Sequence, residues 1–433
     1  MSNTAAGPVA TGARIQTLDV VRGAAVLGIL LMNVWSFAGP QAFFDYPVAV
    51  AGWPGDAVAT WAVVHTLFEG SQRALFSLLF GAGMLLMVTR LADDPAAPVA
   101  RIYYRRLFLL IAIGLFDAFV LLWPADILVT YGVCGLLLFP LRRLGTPTLL
   151  TLALLVFALH AGLRVADLQD TRALKAAYPD ALQAAGSDAD AQATIEAWQK
   201  IDTRARPDPD SEEIRETVRV MATGTFGEFY RERAKSSLIL QTVVALNSWF
   251  LDALAVMLLG MAALRAGLLQ GTWSRRALVV MTLVGYGIGL PLAVTETNTL
   301  LAADFDPLVK DQWLVVYDLR RVAIATGHLG VLLLVCQAGA LPGLQHRLAM
   351  VGRMALSNYL GQSILGALLF YTIGLGLFGR YTGWHLYVFV AVIWALQLAA
   401  SSWWLARFRF GPAEWLWRSL TYGRWQPFRR AAG

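Results

Sequence analysis

The chain has 433 residues and a formal charge of +6, with 57% hydrophobic and only 15% charged residues. Soluble globular chains carry about 25% charged residues, so an ordinary soluble domain is excluded. The basic residues are scattered through short loops between apolar runs, which argues against nucleic acid as a partner and for a positive-inside bias. The two cysteines, Cys134 and Cys336, both lie in apolar runs and imply no disulfide framework.

Runs of about 20 apolar residues match the bilayer hydrocarbon at the helical rise. A backbone in lipid must satisfy its own hydrogen bonds, so such runs are helices. The expected fold class is therefore all-α: a polytopic membrane bundle of about 10 transmembrane helices with a small extramembrane helical insertion. In chain order the helices read as 17–38, 73–91, 104–123, 127–141, 147–165, 238–264, 277–295, 313–339, 354–378 and 384–406. The run starting near Leu18 is too long for a signal-peptide core and lacks a small-x-small cleavage site, so it reads as the first span. Residues 56–72 read as helical but mixed, either lying at the outer interface or extending the second helix.

Arg and Lys set the orientation. With the N-terminus inside, the inner loops carry Arg90, Arg101, Arg105 and Arg106, then Arg142 and Arg143, then Arg265, Arg275 and Arg276, then Arg347 and Arg353. The tail adds Arg407, Arg409, Arg418, Arg424, Arg429 and Arg430, while the short outer loops offer only Lys310 and Arg380. Both termini are thus expected in the cytoplasm, in a bacterial-type inner membrane. Residues 167–235, rich in charge and broken at Arg206-Pro-Asp-Pro-Asp, read as an outer-side helical insertion with a solvated surface, helical at 190–201 and 212–222. This divides the chain into 1–166 (helices 1–5), 167–235, 236–407 (helices 6–10) and a Trp- and Arg-rich cytoplasmic tail, 408–433.

An ionisable side chain at membrane depth costs about 2.5–3.5 kcal/mol on insertion scales, so each is either functional or part of a buried pair. The first helix carries Asp19, Arg22 and Asn33. Arg22 and Asn33 share a face about 16 Å apart, and Asp19 is one turn from Arg22, close enough to pair. Asp19 also suits a helix start, where a carboxylate is favoured by the dipole. His65, Glu69, Arg73 and Ser77 follow at steps of four and share a face if Gly70 does not break the helix. Glu69 before Arg73 is then the favourable order for an ion pair. His65 beside Glu69 would have its tautomer fixed and its basicity raised, as a general base needs; otherwise it is an interfacial histidine facing water. Asp117 lies inside the third helix, and Asp126 follows the Trp123-Pro124 break. Either suits a base, a proton carrier or a cap, with capping favoured for Asp126. Asn247 and Asp252 occupy the sixth helix. Asp318, Arg321 and His328 share a face of the eighth, as an Asp–Arg pair with His328 a second acid–base candidate. Arg353, Ser357, Asn358, Tyr359, Gln362 and Ser363 make the inner half of the ninth polar. No nucleophile elbow, phosphate loop, dinucleotide glycine run or zinc spacing is present, so no metal is expected.

Three stretches carry a resemblance: Leu18-Asp-Val-Val-Arg-Gly23 continuing to Leu31-Met-Asn33; Arg73-Ala-Leu-Phe-Ser-Leu-Leu-Phe-Gly-Ala-Gly83 with Trp123-Pro-Ala-Asp-Ile-Leu128 and Tyr131; and Gly352-Arg-Met-Ala-Leu-Ser-Asn-Tyr-Leu360 with Phe408-Arg-Phe-Gly-Pro-Ala-Glu-Trp-Leu-Trp-Arg418 and Leu420-Thr-Tyr-Gly423. Together they resemble the DUF418, or YeiB-like, family across nearly the whole chain outside 167–235. The first-helix motif is distantly similar to that of heparan-α-glucosaminide N-acetyltransferase and other transmembrane acyltransferases. Those enzymes pass an acyl group from a cytoplasmic donor to an acceptor across the membrane. In them an Asn follows the Asp-x-x-Arg-Gly motif, as Asn33 does here, and a histidine follows that; this chain has Phe44 there, so a histidine mechanism would need His65 or His328 instead. Asp117 stands where the family commonly shows a histidine.

The resemblance implies acyl-CoA as co-substrate, its phosphates received by Arg22, Arg353 and Arg418. Asp19, Arg73, Arg321, Asn358 and Glu414 join them as donor-site candidates. Asn33 would donate to the oxyanion, and His65, Glu69, Asp117, Asp126 or His328 would serve the acid–base step on an acceptor hydroxyl or amine. The insertion would help select that acceptor. The alternatives are a proton-coupled transporter using Asp117, Asp252 and Asp318, and a catalytically inactive scaffold. Partners expected are the lipid bilayer, the donor, an acceptor and a second copy of the chain. The tail segment with Glu414, Trp415, Arg418 and Tyr422 reads either as an interfacial amphipathic helix or as one that folds under the bundle and closes its inner mouth.

Overall fold

The computed structural model describes residues 16–48, 55–93, 97–184 and 188–430. The first fifteen residues, and so the expected inside N-terminus, lie outside the described residues. The helices are α1 (Gln16–Ala38), α2 (Gln41–Asp45), α3 (Gly55–Phe68), α4 (Ser71–Ala92), α5 (Val99–Phe119), α6 (Leu128–Leu141), α7 (Thr146–Gln183), α8 (Ala189–Ala205), α9 (Glu212–Thr223) and α10 (Phe226–Ile239). They continue as α11 (Phe250–Arg265), α12 (Arg275–Ala302), α13 (Pro307–Val315), α14 (Tyr317–Gln337), α15 (Pro342–Arg353), α16 (Ala355–Phe370), α17 (His385–Arg407) and α18 (Pro412–Tyr422).

Among the described residues, seven helical runs are long and apolar enough to cross a membrane: α1, α3 with α4, α7, α10 with α11, α12, α14 and α17. α6 and α16 are apolar but shorter. α5 is long enough at 21 residues but carries Arg101, Arg105, Arg106 and Asp117. These make the all-α polytopic membrane bundle that the composition demands. α1 is its centre: 67% of its apolar window is buried, against 17% for α7 and 22% for α12. The peripheral helices turn Leu154, Leu155, Leu159, Leu283 and Val284 outward, the apolar surface that lipid requires.

Close crossings come from small residues, the usual device where lipid supplies no hydrophobic drive between helices. A Cβ on Gly23 of α1 would sit 2.0 Å from the Leu348 carbonyl oxygen, and one on Gly352 of α15 would sit 1.9 Å from that of Asp19. α4 and α11 touch in the same way at Gly81 and Gly260.

Several boundaries differ from the sequence reading. Gly70 adopts φ 69° and separates α3 from α4, so the His65-to-Ser77 stripe is not one helical face. α7 continues through residue 166 to Gln183, because polarity changes there without a break, and it carries Pro179 only in its last turns. α10 begins at Phe226, far ahead of 238, with a capping box made by Thr225 and Glu228. It passes through a π-helical stretch, Leu240–Trp249, into α11. The insertion is therefore joined to the bundle through continuous helices. The stretch around Arg347 and Arg353, read as a loop, is α15, with Pro342 in its first turn. The 313–339 run is divided between α13 and α14, and α16 stops at Phe370 rather than 378, ahead of Gly376 and Gly379 at positive φ.

Candidate functional site

One end of α1, the last turns of α4, the first half of α5, α15, the start of α16 and α18 enclose a cavity of about 290 Å³. Its wall carries five arginines (Arg22, Arg90, Arg106, Arg353 and Arg418) and two carboxylates, Asp19 and Glu414. The remainder is largely apolar, including Phe76, Leu79, Phe80, Met84, Met87, Leu110 and Leu128. Arg22 donates to Asp19 at 3.1 Å, the pairing one helical turn allows. The Arg106 guanidinium lies 3.6 Å from the centre of the Trp417 ring, while the Trp417 indole donates to the Arg106 carbonyl at 2.9 Å.

α18 is held in the wall by Glu414. Its carboxylate accepts from the amides of Leu356 (2.7 Å) and Ser357 (3.1 Å) and from the Ser357 hydroxyl (2.5 Å). It thereby caps the start of α16 and fills orphan donors there. Burial pushes the Glu414 carboxyl above its ordinary range, against the pull of these donors. The tail segment thus folds against the bundle and supplies part of the cavity wall at this end, as in the second of the two readings of its pattern, without closing the mouth.

At its deep end the cavity reaches Leu128 and Tyr359. Beside them lies the turn from α5 to α6, with Asp117 and Asp126 both fully buried. Their carboxyls face one another. Asp126 Oδ2 accepts from the amides of Leu128 (2.9 Å) and Val129 (3.2 Å), capping α6. Ser363 donates to Asp117 Oδ2 at 3.2 Å, and the Tyr359 hydroxyl accepts from the Ile127 amide at 3.3 Å. Gly114 leaves room for the pair: a Cβ there would stand 2.6 Å from Asp126 Oδ2. Arg106 and Asp117 are three turns apart on α5, about 16 Å along its axis.

A second charged cluster joins α3, α4, α7, α11, α12 and α14. Arg320 and Arg321 are buried to 1% and 0%. Arg320 pairs with Glu69 and, at 2.6 Å, with Glu296. Arg321 pairs with Asp252 and, at 2.7 Å, with Asp318. Arg73 reaches Asp252 at 2.7 Å, and His160 reaches Asp318 at 2.6 Å. The Tyr317 hydroxyl donates to Glu69 at 3.0 Å and accepts from Arg73 at 2.9 Å.

These partners revise two expected pairings. Arg73 takes Asp252, not Glu69, and Glu69 takes Arg320. The carboxylate nearest His65 is Glu296, 3.9 Å from Nε2, with Nδ1 3.1 Å from the Thr297 hydroxyl and the ring stacked on Trp61. Between Glu69 and Arg73 the cause is Gly70, which turns the chain before the four-residue spacing can bring these two side chains together. The Asp318–Arg321 pair forms as read. His328 has both ring nitrogens engaged, with the Tyr286 hydroxyl at 2.7 Å and the Leu67 carbonyl at 2.9 Å, which leaves it to hold α12 against α14 and α3.

Of the residues singled out from sequence, the cavity therefore gathers Asp19, Arg22, Arg353, Glu414 and Arg418 in its wall, with Asp117 and Asp126 next to its deep end. Arg73, Arg321, Glu69 and His65 belong to the second cluster. Asn33 is half-buried on α1, outside the cavity wall. Asn358 is committed to the Val351 carbonyl (3.2 Å) and the Ser401 hydroxyl (3.0 Å). Arg90 and Arg106 had signalled only orientation, and Glu296, Arg320 and His160 had no signal beyond their polarity in apolar surroundings.

Comparison with known proteins adds family context. The family model described as "Protein of unknown function (DUF418)" matches residues 263–424, which include α12 to α18 and so Arg353, Glu414 and Arg418. The chain is 29% identical over 443 residues to the uncharacterized protein YxaH of Bacillus subtilis (strain 168), covering 98% of each. It is 29% identical over 419 residues to the uncharacterized protein YeiB of Escherichia coli (strain K12), covering 94% of this chain and 95% of the relative. No solved structure matches.

Proposed function

We propose, from the premise that the chain belongs to the DUF418 family of membrane proteins, that it is a transmembrane acyltransferase with its arginine-lined cavity open to the cytoplasm. It lies in the inner membrane and takes an acyl-CoA-type donor. One observation carries this reading: five arginines ring an apolar cavity whose deep end meets a buried carboxyl pair. Guanidiniums in a fork geometry suit phosphates, and the aliphatic and aromatic wall suits an acyl chain. The 16 Å between Arg106 and Asp117 along α5 is the separation that a donor's pantetheine arm would span.

In the reaction the acceptor hydroxyl or amine attacks the thioester carbonyl carbon while a carboxylate of the Asp117–Asp126 pair takes its proton. The new ester or amide bond forms, the carbon–sulfur bond breaks, and the departing thiolate is protonated to the free thiol. The Tyr359 hydroxyl, at the deep end of the cavity, stands where a hydrogen-bond donor would meet the developing oxyanion.

A proton-coupled carrier would use Asp117, Asp252 and Asp318, and Arg321 holds the last two. The deciding test is calorimetric binding of acetyl-CoA and a longer acyl-CoA to the detergent-purified protein. Binding that is lost in Arg22→Ala is expected. Absence of binding by either thioester in the wild-type protein overturns the donor assignment.

A further inference from the structure

Buried polar atoms almost always find a hydrogen-bond partner, so a group of unsatisfied ones needs an occupant. On the α5–α6 turn and the side chain packed under it, Trp123 Nε1, Thr130 Oγ1 and Gln241 Oε1 are buried and find no hydrogen-bond partner, beside the facing carboxyls of Asp117 and Asp126. Four carbonyls of the same turn are, by contrast, met from α10 and the π-helical stretch that follows it. Ser237 donates to the Ala118 carbonyl (2.7 Å), Arg233 to that of Leu122 (3.1 Å), and Gln241 to those of Pro124 (2.9 Å) and Asp126 (2.8 Å).

Arg233, Ser237 and Gln241 are four residues apart, one stripe along the helix. Gln241 sits at the start of the π-helical stretch Leu240–Trp249. Such stretches are rare and recur at functional sites. Because the Gln241 amide nitrogen is committed to two carbonyls, its orientation is fixed and its oxygen must look elsewhere for a donor.

We propose that the α5–α6 turn and Gln241 form the acceptor site, and that the acceptor is a small molecule bearing hydroxyl or amine groups. The Gln241 amide oxygen calls for an O–H or N–H donor on the guest, and Trp123 Nε1 calls for a lone pair. Hydroxyl and amine groups supply both, as an apolar or purely anionic guest does not. Asp126 then contacts the attacking group, and Gln241 orients it. The assignment rests on the acyl-transfer reading for its chemistry but not for its geometry.

The probe is hydroxylamine with acetyl-CoA and the full-length purified protein, read as thiol release above the enzyme-free rate. The amine nitrogen bonds to the acetyl carbon, the carbon–sulfur bond breaks, and the displaced proton ends on the thiol. In Gln241→Leu and Thr130→Val we expect kcat/KM for hydroxylamine to fall at least tenfold, with calorimetric acetyl-CoA affinity within twofold of wild type. Wild-type kcat/KM in both variants overturns the acceptor site and leaves the donor site standing. If wild-type protein binds no thioester, the donor reading fails, and a cryo-electron microscopy map decides the acceptor site alone. Density within hydrogen-bond distance of Gln241 Oε1 and Trp123 Nε1 supports it, and a closed turn with both atoms bonded to protein groups overturns it.

Discussion

Arg320 and Arg321 are buried and each is gripped by two carboxylates, whereas Arg22, Arg90, Arg106, Arg353 and Arg418 converge on a cavity. The first group breaks the rule that charge avoids the membrane interior, the second lies at helix ends and in the tail, and the two serve different purposes. In the first cluster the carboxylates that compensate the guanidiniums belong to the protein, so the charges serve to fix helices against one another. In the second, five guanidiniums share a wall with two carboxylates, one of them spent on capping α16. On the acyl-CoA reading proposed above, such a wall would receive the donor's phosphates. Polarity in a membrane helix therefore does not mark a binding site until the partners are known.

The largest effect that sharpens this contrast is expected from Arg321→Ala. It leaves Asp252 with Arg73 and Asp318 with His160 as their remaining partners, and breaking one side of a buried pair costs about 3–5 kcal/mol. Thermal unfolding in detergent should show a severely destabilised protein. A melting temperature equal to wild type would mean that the cluster is not structural. Arg418→Ala should do the opposite. Loss of one charge-assisted contact to a phosphate, about 1.5–3 kcal/mol, weakens acyl-CoA binding by at least tenfold while the melting temperature barely moves. Unchanged affinity in a well-folded Arg418→Ala protein would remove α18 from the donor site. Gly352→Ala joins the two properties. Its Cβ meets the Asp19 carbonyl at 1.9 Å, so overpacking at the α1–α15 crossing should cost about 1–3 kcal/mol and displace Arg22 and Arg353 together. Stability and thioester affinity should fall in step, and a loss of one without the other would separate the crossing from the cavity.

The bundle was legible because bilayer thickness sets the length of an apolar run, and Arg asymmetry orders the loops. Gathering at one end was also readable for Asp19, Arg22, Arg353 and Arg418, since each falls at the same end of its helix. What could not be read is which charges meet. Glu69 and Arg320, or Arg73 and Asp252, lie far apart in the chain and follow no spacing rule. Within reach of such rules, Gly70 defeated the expected stripe by a positive φ that its neighbours do not announce. The π-helical stretch at Leu240–Trp249 was hidden for another reason: its composition is that of an ordinary apolar helix, and only the backbone reveals it.

His65 gives the smallest and most selective way to break the comparison. From sequence it was a general-base candidate paired with Glu69; in the structure it stacks on Trp61, faces Thr297 and Glu296, and belongs to the cluster whose charges are internally matched. If that cluster is scaffold, His65→Gln should lose only about 1 kcal/mol, the worth of one buried hydrogen bond. Acyl-CoA affinity should remain within twofold of wild type, as should thiol release with hydroxylamine. Asp126→Asn, which keeps the size of the side chain, should by contrast abolish thiol release above background while still binding the thioester. The opposite pattern, transfer lost in His65→Gln and kept in Asp126→Asn, would move the acid–base step from the α5–α6 turn to α3 and make the matched cluster the reactive one.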